Sequence, residues 1–184
     1  MDKADLRRTL LKARQSMGVE EWREKSDRLS SHLKSSPLLS QAKTILAYFS
    51  FRQEPDLSSL FADTPHQWGL PRVVGKSLTW HRWKAGEPLE TGAYGIFEPR
   101  ADAPILEPDE VDLILVPAIA CDARGYRLGY GGGFYDRLLS SPEWSSKPTI
   151  GIIFDFAYLS ELPMDAWDLP LHSVCTEMGL RIVR

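Results

Sequence analysis

Asp112-Leu-Ile-Leu-Val-Pro-Ala-Ile119 is apolar at almost every position after its opening aspartate. A strand with helices on both faces has no wet side, so it reads as a continuous apolar run, whereas a half-exposed strand alternates. The stretch therefore predicts the middle strand of a mostly parallel sheet, and with it an α/β fold. Upstream, residues 44–51 (TILAYFSF) are β-branched and aromatic enough for another buried strand, and Glu54-Pro55-Asp56-Leu57 after them carries the proline and acids that open a helix. Further strands are expected at 70–74, 78–83 and 149–154, with one or two more between Val174 and Val183. Residues 83–109 are rich in Gly, Pro and acids and read as a long excursion with turns and room for a hairpin.

Two helices precede this pattern. In residues 2–17, Leu6, Leu10, Ala13 and Met17 recur at helical spacing and define one apolar stripe. At about 100° per residue, Lys3, Arg7 and Arg14 fall within roughly 40° of one another, beside the stripe. A more polar helix is expected over 20–34, ended by Pro37.

Directly after the 112–119 strand region comes Arg127-Leu-Gly-Tyr-Gly-Gly-Gly-Phe-Tyr-Asp136, with four glycines in five positions. Such a run costs backbone entropy, and it serves where something must approach the backbone closely. Peptide N–H groups without Cβ atoms curl into a concave nest, and phosphate is the natural guest. No Gly-Lys-Ser/Thr closes the run, and Phe134 stands where a dinucleotide fingerprint needs its third glycine, so neither common phosphate loop explains it. Arg127 offers a guanidinium to phosphate oxygens. Asp136 would be repelled by them unless a cation lies between, which points to Mg²⁺ with Asp168 or Asp155 as a second carboxylate. Lys3, Arg7 and Arg14 form a candidate second clamp. Glu54 is either a site acid or a helix-start acid, and Trp80, Trp83, Tyr94 and Phe97 either line a flat pocket or fill the core.

With 184 residues, 43% of them apolar and 26% charged, one domain of ordinary globular composition is expected across residues 1–184. A net charge of −3 and a pI near 5.8 give no general attraction to nucleic acid or anionic membrane. Cys121 and Cys175 make no disulfide framework, and the four histidines lack metal-ligand spacing. Neither a signal peptide nor a run of eighteen apolar residues occurs, and a cytoplasmic protein is expected. A Ser/His/Asp hydrolase is unsupported, since no Gly-x-Ser-x-Gly elbow is present.

These residues together resemble the 5-formyltetrahydrofolate cyclo-ligase family, also called methenyltetrahydrofolate synthetases. The resemblance rests on the glycine run after Asp112-Leu-Ile-Leu-Val-Pro117, on Lys3-x-x-x-Arg7, on Tyr48-Phe-Ser-Phe-x-x-Glu54 and on Tyr94-Gly-Ile-Phe-Glu-Pro99. It extends through Leu162-Pro163, Trp167-Asp168-Leu-Pro-Leu171 and Thr176-Glu177. The resemblance implies a three-layer α/β/α domain with a mostly parallel central sheet, of the NagB/RpiA/CoA transferase-like kind. It implies a monomeric enzyme that uses ATP and Mg²⁺ to turn 5-formyltetrahydrofolate, with or without a polyglutamate tail, into 5,10-methenyltetrahydrofolate with release of ADP and phosphate. Carried over position by position, it makes Lys3, Arg7, Arg127, Leu128, Gly129, Tyr130, Gly131, Gly132, Gly133, Phe134 and Tyr135 ATP contacts. Phe49, Glu54 and residues 130–134 become folate contacts, Asp136 and Asp168 Mg²⁺ ligands, and Glu54, Arg127 and Asp136 the chemically active set. Many relatives carry His where Trp167 stands and Lys where Gly132 stands. A non-catalytic nucleotide- or folate-binding relative, and a sugar-phosphate isomerase or CoA-transferase-type enzyme on a related scaffold, are the competing readings.

Overall fold

The computed structural model describes residues 1–62 and 65–183. Along the chain run α1 (Lys3–Gln15), α2 (Val19–Lys34), α3 (Pro37–Ser40), β1 (Thr44–Leu46), α4 (Ser58–Phe61), β2 (Gln67–Val74), β3 (Ser77–Trp83), β4 (Leu89–Thr91) and β5 (Phe97–Pro99). They are followed by β6 (Leu113–Pro117), β7 (Ala120–Asp122), β8 (Arg127–Leu128), α5 (Phe134–Ser140), α6 (Pro142–Ser145), β9 (Thr149–Ile152), β10 (Tyr158–Leu159), β11 (Ser173–Thr176) and β12 (Gly179–Ile182).

The main sheet has seven strands in the order β12-β11-β9-β6-β1-β2-β3. Strands β2, β1, β6, β9 and β11 are mutually parallel, and an antiparallel strand closes each edge. The apolar run quoted first is β6, fourth of the seven, as its composition predicts. Leu113 and Leu115 face one core, with Ile45, Leu29, Leu33 and Leu60, while Ile114 and Val116 face the other, with Leu46, Leu138 and Trp144. Helices α2, α3 and α4 thus cover one side, and α1, α5 and α6 the other. This is a three-layer arrangement, and residues 113–116 are at most 1% exposed because both faces are covered.

Three sequence expectations change. The strand expected at 44–51 ends at Leu46, apart from one further sheet bond from Ala47 N–H to the Gly69 carbonyl (2.9 Å). Beyond Tyr48 the chain leaves the sheet through Arg52 and Gln53, both at positive φ (50° and 57°). Helix α4 begins at Ser58 rather than at Glu54, with Asp56 Oδ1 accepting from Ser58 N–H at 3.0 Å. The third change is rotational: Ala13 is exposed, while Arg14 is buried at 3% exposure among the inward-facing Leu10, Leu11 and Met17. Helix α1 therefore turns its basic face toward the protein. The hairpin anticipated within 83–109 is β4–β5.

A second sheet, β10-β7-β8, carries the glycine run. Its β7–β8 turn is organised by the fully buried Asp122. Oδ1 accepts from Arg124 N–H (2.9 Å) and Tyr126 N–H (3.1 Å), and Oδ2 accepts from Arg124 Nη2 (2.7 Å) and Leu162 N–H (2.9 Å). Ile119 N–H then donates to the Leu128 carbonyl at 2.7 Å, fixing where the glycine run departs relative to the end of β6.

Candidate active site

Chain order reverses between β1 and β6, since the strands after β1 run toward one edge of the sheet and those after β6 toward the other. Open α/β sheets leave a crevice at the carboxyl ends of such neighbouring strands. A cavity of about 780 Å³ lies there, lined by Tyr48 and Phe49 after β1, by Pro117 at the end of β6 and by Ile119 after it. The same cavity is lined by Lys3, Arg7, Glu54, every residue from Arg127 to Asp136, and Asp168.

The glycine run keeps its shape because two of its members occupy backbone conformations that side chains resist: Gly131 has φ 101° and Gly133, where α5 begins, has φ 71°. Gly129 is instead closely packed, and a larger residue would push the Arg127 guanidinium aside. A Cβ there would stand 2.8 Å from Arg127 Nη2. Arg7 supports the run from below, with Nε donating to the Gly129 carbonyl at 2.7 Å.

Arg127 Nη2 donates to the Pro117 carbonyl (2.8 Å), and the guanidinium lies over the Tyr135 ring at 5.1 Å. Its buried Nε has no hydrogen-bond partner among the described residues. Arg127 itself lines the cavity, and its guanidinium lies against Gly129, so its charge stands beside the glycine run. Asp136 likewise makes no hydrogen bond or ion pair among the described residues, although it lines the cavity. Asp168 is engaged: its Oδ2 accepts from Lys3 Nζ and from Asp165 N–H, each at 2.7 Å. Burial pushes the Asp168 carboxyl up, but the Asp165 N–H and the Lys3 ammonium outweigh it and hold the group below its ordinary value. Lys3 also pairs with Asp165 at 2.7 Å, so its charge is shared between two carboxylates. Among the described residues no cluster of three acidic, His or Cys side chains is assembled for a metal.

Glu54 is only 4% exposed. Its Oε1 accepts from Phe51 N–H (3.0 Å) and its Oε2 from the Tyr130 hydroxyl (3.1 Å). Burial raises the carboxyl to about 7, against the opposing pull of Arg14, the Phe51 N–H, the Tyr130 hydroxyl and Arg127. A carboxylate at that value exchanges a proton near neutrality. The left-handed residues Arg52 and Gln53 that swing Glu54 into place cost on the order of 1 kcal/mol each. Helix α1 holds them there: Arg14 Nε donates to the Arg52 carbonyl at 3.0 Å, and the Gln53 amide nitrogen, in the orientation that satisfies both of its ends, donates to the Gln15 (3.1 Å) and Arg14 (2.6 Å) carbonyls.

The aromatic wall is partly different from the one expected. Trp80 and Trp83 are core residues at 2% and 5% exposure, whereas Tyr94 and Phe97 of the β4–β5 hairpin line the cavity. Phe97 meets Phe49 edge-on at 5.7 Å, and Tyr94 meets Phe134 at 6.1 Å. Two other expectations fail. Arg14 is no phosphate clamp, being buried and committed to the Arg52 and Ala118 carbonyls and to the Tyr130 hydroxyl. Asp155 is not on the cavity; it faces Thr176 Oγ1 at 3.3 Å and Arg181 Nη2 at 3.5 Å. Sequence reading also missed Asp165, Arg52, Phe51 and Glu98 as lining residues. Asp165 carried a signal as an acid three positions before Asp168, and Phe51 and Glu98 stand inside two of the motifs quoted for the family; Arg52 carried none.

The family model for 5-formyltetrahydrofolate cyclo-ligases matches residues 1–177. The chain belongs to this family. Among curated members, the Haemophilus influenzae 5-formyltetrahydrofolate cyclo-ligase is 32% identical over 142 residues, covering 73% of this chain and 75% of the relative. The Mycolicibacterium smegmatis cyclo-ligase is 31% identical over 185 residues, covering 95% and 93%. Among solved structures, the Aquifex aeolicus 5,10-methenyltetrahydrofolate synthetase superposes with a TM-score of 0.89 at 36% identity, covering all of this chain and 94% of the other. For a cyclo-ligase family member the cavity now has a chemical context: a nucleotide-dependent ligation on a small folate.

Proposed function

We propose that this protein, acting as one domain and as a monomer in the cytoplasm, converts 5-formyltetrahydrofolate into 5,10-methenyltetrahydrofolate while Mg·ATP becomes ADP and phosphate. The observation that carries the reading is that one cavity joins a glycine-lined, cationic wall to an aromatic wall with a buried carboxylate. Phosphates suit the first and a flat pterin the second. Both cysteines are free and buried, which suits a reducing compartment, and no helix among the described residues is long and apolar enough to cross a membrane.

The chemistry needs activation, because an N-formyl oxygen is a poor leaving group. The formyl oxygen attacks the γ-phosphorus and ADP departs; N10 then attacks the formyl carbon, the C–O bond to phosphate breaks, and N10 gives up its proton. Arg127 on the cavity wall and Arg7 beneath the glycine run supply positive charge where phosphoryl charge gathers. Leu128, Gly129, Gly131, Gly132, Gly133, Phe134 and Tyr135 shape the nucleotide wall, and Phe49 faces the pterin. Glu54, raised to about 7, accepts the N10 proton. Asp136 and Asp168 fit Mg²⁺ as a pair of carboxylates completed by phosphate oxygens, and the ion, when bound, neutralises phosphoryl charge. Lys3 holds Asp168 in place for that role.

Mixing the protein with Mg·ATP and 5-formyltetrahydrofolate and following the absorbance of the methenyl product tests the reading. An ATP-dependent rise is expected. Binding of the folate without turnover at saturating Mg·ATP would mark a non-catalytic relative instead.

A further inference from the structure

Arg14 lies outside the cavity lining, yet it is joined to the cavity through one side chain. Its Nη2 donates to the Tyr130 hydroxyl oxygen, and the Tyr130 hydroxyl donates to Glu54 Oε2 at 3.1 Å. The other guanidinium contacts anchor this chain at both ends: Nε on the Arg52 carbonyl (3.0 Å) and Nη1 on the Ala118 carbonyl (3.3 Å). The phenol itself is gripped from the sides. Phe51 meets its ring edge-on at 6.4 Å, with the Arg52 guanidinium 5.9 Å and the Arg14 guanidinium 5.8 Å from the ring centroid. Tyr130 belongs to the glycine run, between Gly129 and Gly131, so a single side chain ties the phosphate-side loop to the folate-side carboxylate.

We propose that Arg14 is a positioning residue that acts through the Tyr130 hydroxyl to fix Glu54, so that this carboxylate's orientation and proton affinity are set from helix α1 and the glycine run. This rests on the folate reading above. The physical reason is that the Glu54 carboxylate is tied to its own loop by one bond, from Phe51 N–H to Oε1, so that among the described residues Oε2 is held by Tyr130. The Arg14 N–H occupies the acceptor side of the Tyr130 oxygen, which turns the hydroxyl proton toward Glu54 and strengthens that bond. The ionisable groups acting on Glu54 are Arg14 from α1, Arg127, Tyr130 and Tyr135 from the glycine segment, and Tyr48 from the end of β1. Of the two that hydrogen-bond within the relay, only Tyr130 touches the carboxylate.

The test compares wild type with Tyr130→Phe and Arg14→Met by two measurements. The first is the ¹³C titration of the Glu54 carboxyl in labelled protein, assigned by its loss in Glu54→Gln. The second is the pH profile of kcat/KM for 5-formyltetrahydrofolate at saturating Mg·ATP. Removing a donor from the ionised carboxylate favours the protonated form, so the titration and the acid limb should both move upward by about one pH unit in Tyr130→Phe. Arg14→Met should move them in the same direction and raise the folate KM more than the Mg·ATP KM, with Arg14→Lys restoring part of the shift. An unmoved Glu54 titration in Tyr130→Phe overturns the proposal, as does a loss of activity with an unchanged acid limb. Tyr130→Phe keeps the ring and the backbone, so it remains informative if Arg14→Met fails to fold. If wild type turns over no folate, the functional reading fails, while the carboxyl titration still decides the positioning role.

Discussion

Lys3 Nζ and Asp168 Oδ2 meet at 2.7 Å on the cavity wall, although they stand 165 positions apart in sequence. The contact brings the first turn of α1 to the segment between β10 and β11, and it leaves the carboxylate pre-oriented beside the glycine run. Two consequences for metal use follow.

Replacing Asp168 with Asn removes the charge that both Lys3 and Mg²⁺ would use. The Mg²⁺ concentration for half-maximal turnover should rise roughly tenfold or more, with the folate KM within about twofold of wild type. Steady-state kinetics across a Mg²⁺ series at fixed ATP checks this, and an unchanged Mg²⁺ dependence would remove Asp168 from the metal site.

Asp136 and Glu54 sit on the same cavity with opposite environments: Asp136 has no protein partner among the described residues, whereas Glu54 is buried and bonded twice. Asp136→Asn should therefore weaken Mg·ATP use by about tenfold or more while folate affinity changes little. Glu54→Gln should lower turnover with folate while nucleotide affinity is nearly intact. Binding of Mg·ATP and of folate to each variant, measured separately by calorimetry, distinguishes the two. Equal losses of nucleotide affinity would contradict the division.

Stability should carry the imprint of Glu54. Its carboxyl is raised by burial from 4.5 to about 7 in the folded protein, so between those values the native state binds more protons than the unfolded chain. With that sign, stability falls as pH rises through the window, by a total on the order of 3 kcal/mol if no other group compensates. Urea unfolding at pH 4.5 and pH 8 should show this loss in wild type and a smaller one in Glu54→Gln. Identical pH dependence in the two proteins would mean that the carboxyl titrates at its ordinary value.

Gly131 tests the glycine run itself. At φ 101° an alanine is strained even though a Cβ there would meet nothing closer than Arg7 Cζ at 3.8 Å. Gly131→Ala should thus cost about 1–2 kcal/mol in urea unfolding and lower turnover further by displacing the backbone N–H groups. Gly18→Ala is the control, since it has ordinary φ and open space around it; it should leave turnover within about twofold.

Much of this molecule was legible from its residues. The unbroken apolar run of β6 gave its place at the centre of the sheet, because only a doubly covered strand tolerates such a composition. The four glycines between Gly129 and Gly133 announced a close backbone approach, because their entropic cost needs a reason. Local chemistry of this sort is written in consecutive residues. The sequence misjudged the points where one segment's behaviour depends on a distant one. Arg14 reads as a surface cation by spacing, but carbonyls at positions 52 and 118 and a phenol at 130 give it acceptors enough to be buried. The strand expected through Phe51 stops early because α1 holds Arg52 and Gln53, through Arg14 and the carbonyls of Arg14 and Gln15, in left-handed conformations that no local propensity favours. By itself the sequence determined the α/β class, the central strand, the glycine run that lines the cavity and the family. The tertiary structure alone decided that Lys3 holds Asp168, that Asp155 lies elsewhere, and that Tyr130 connects the loop to Glu54. Such contacts form only when folding removes water and brings partners more than 70 positions apart within hydrogen-bonding reach, a distance that no local pattern encodes.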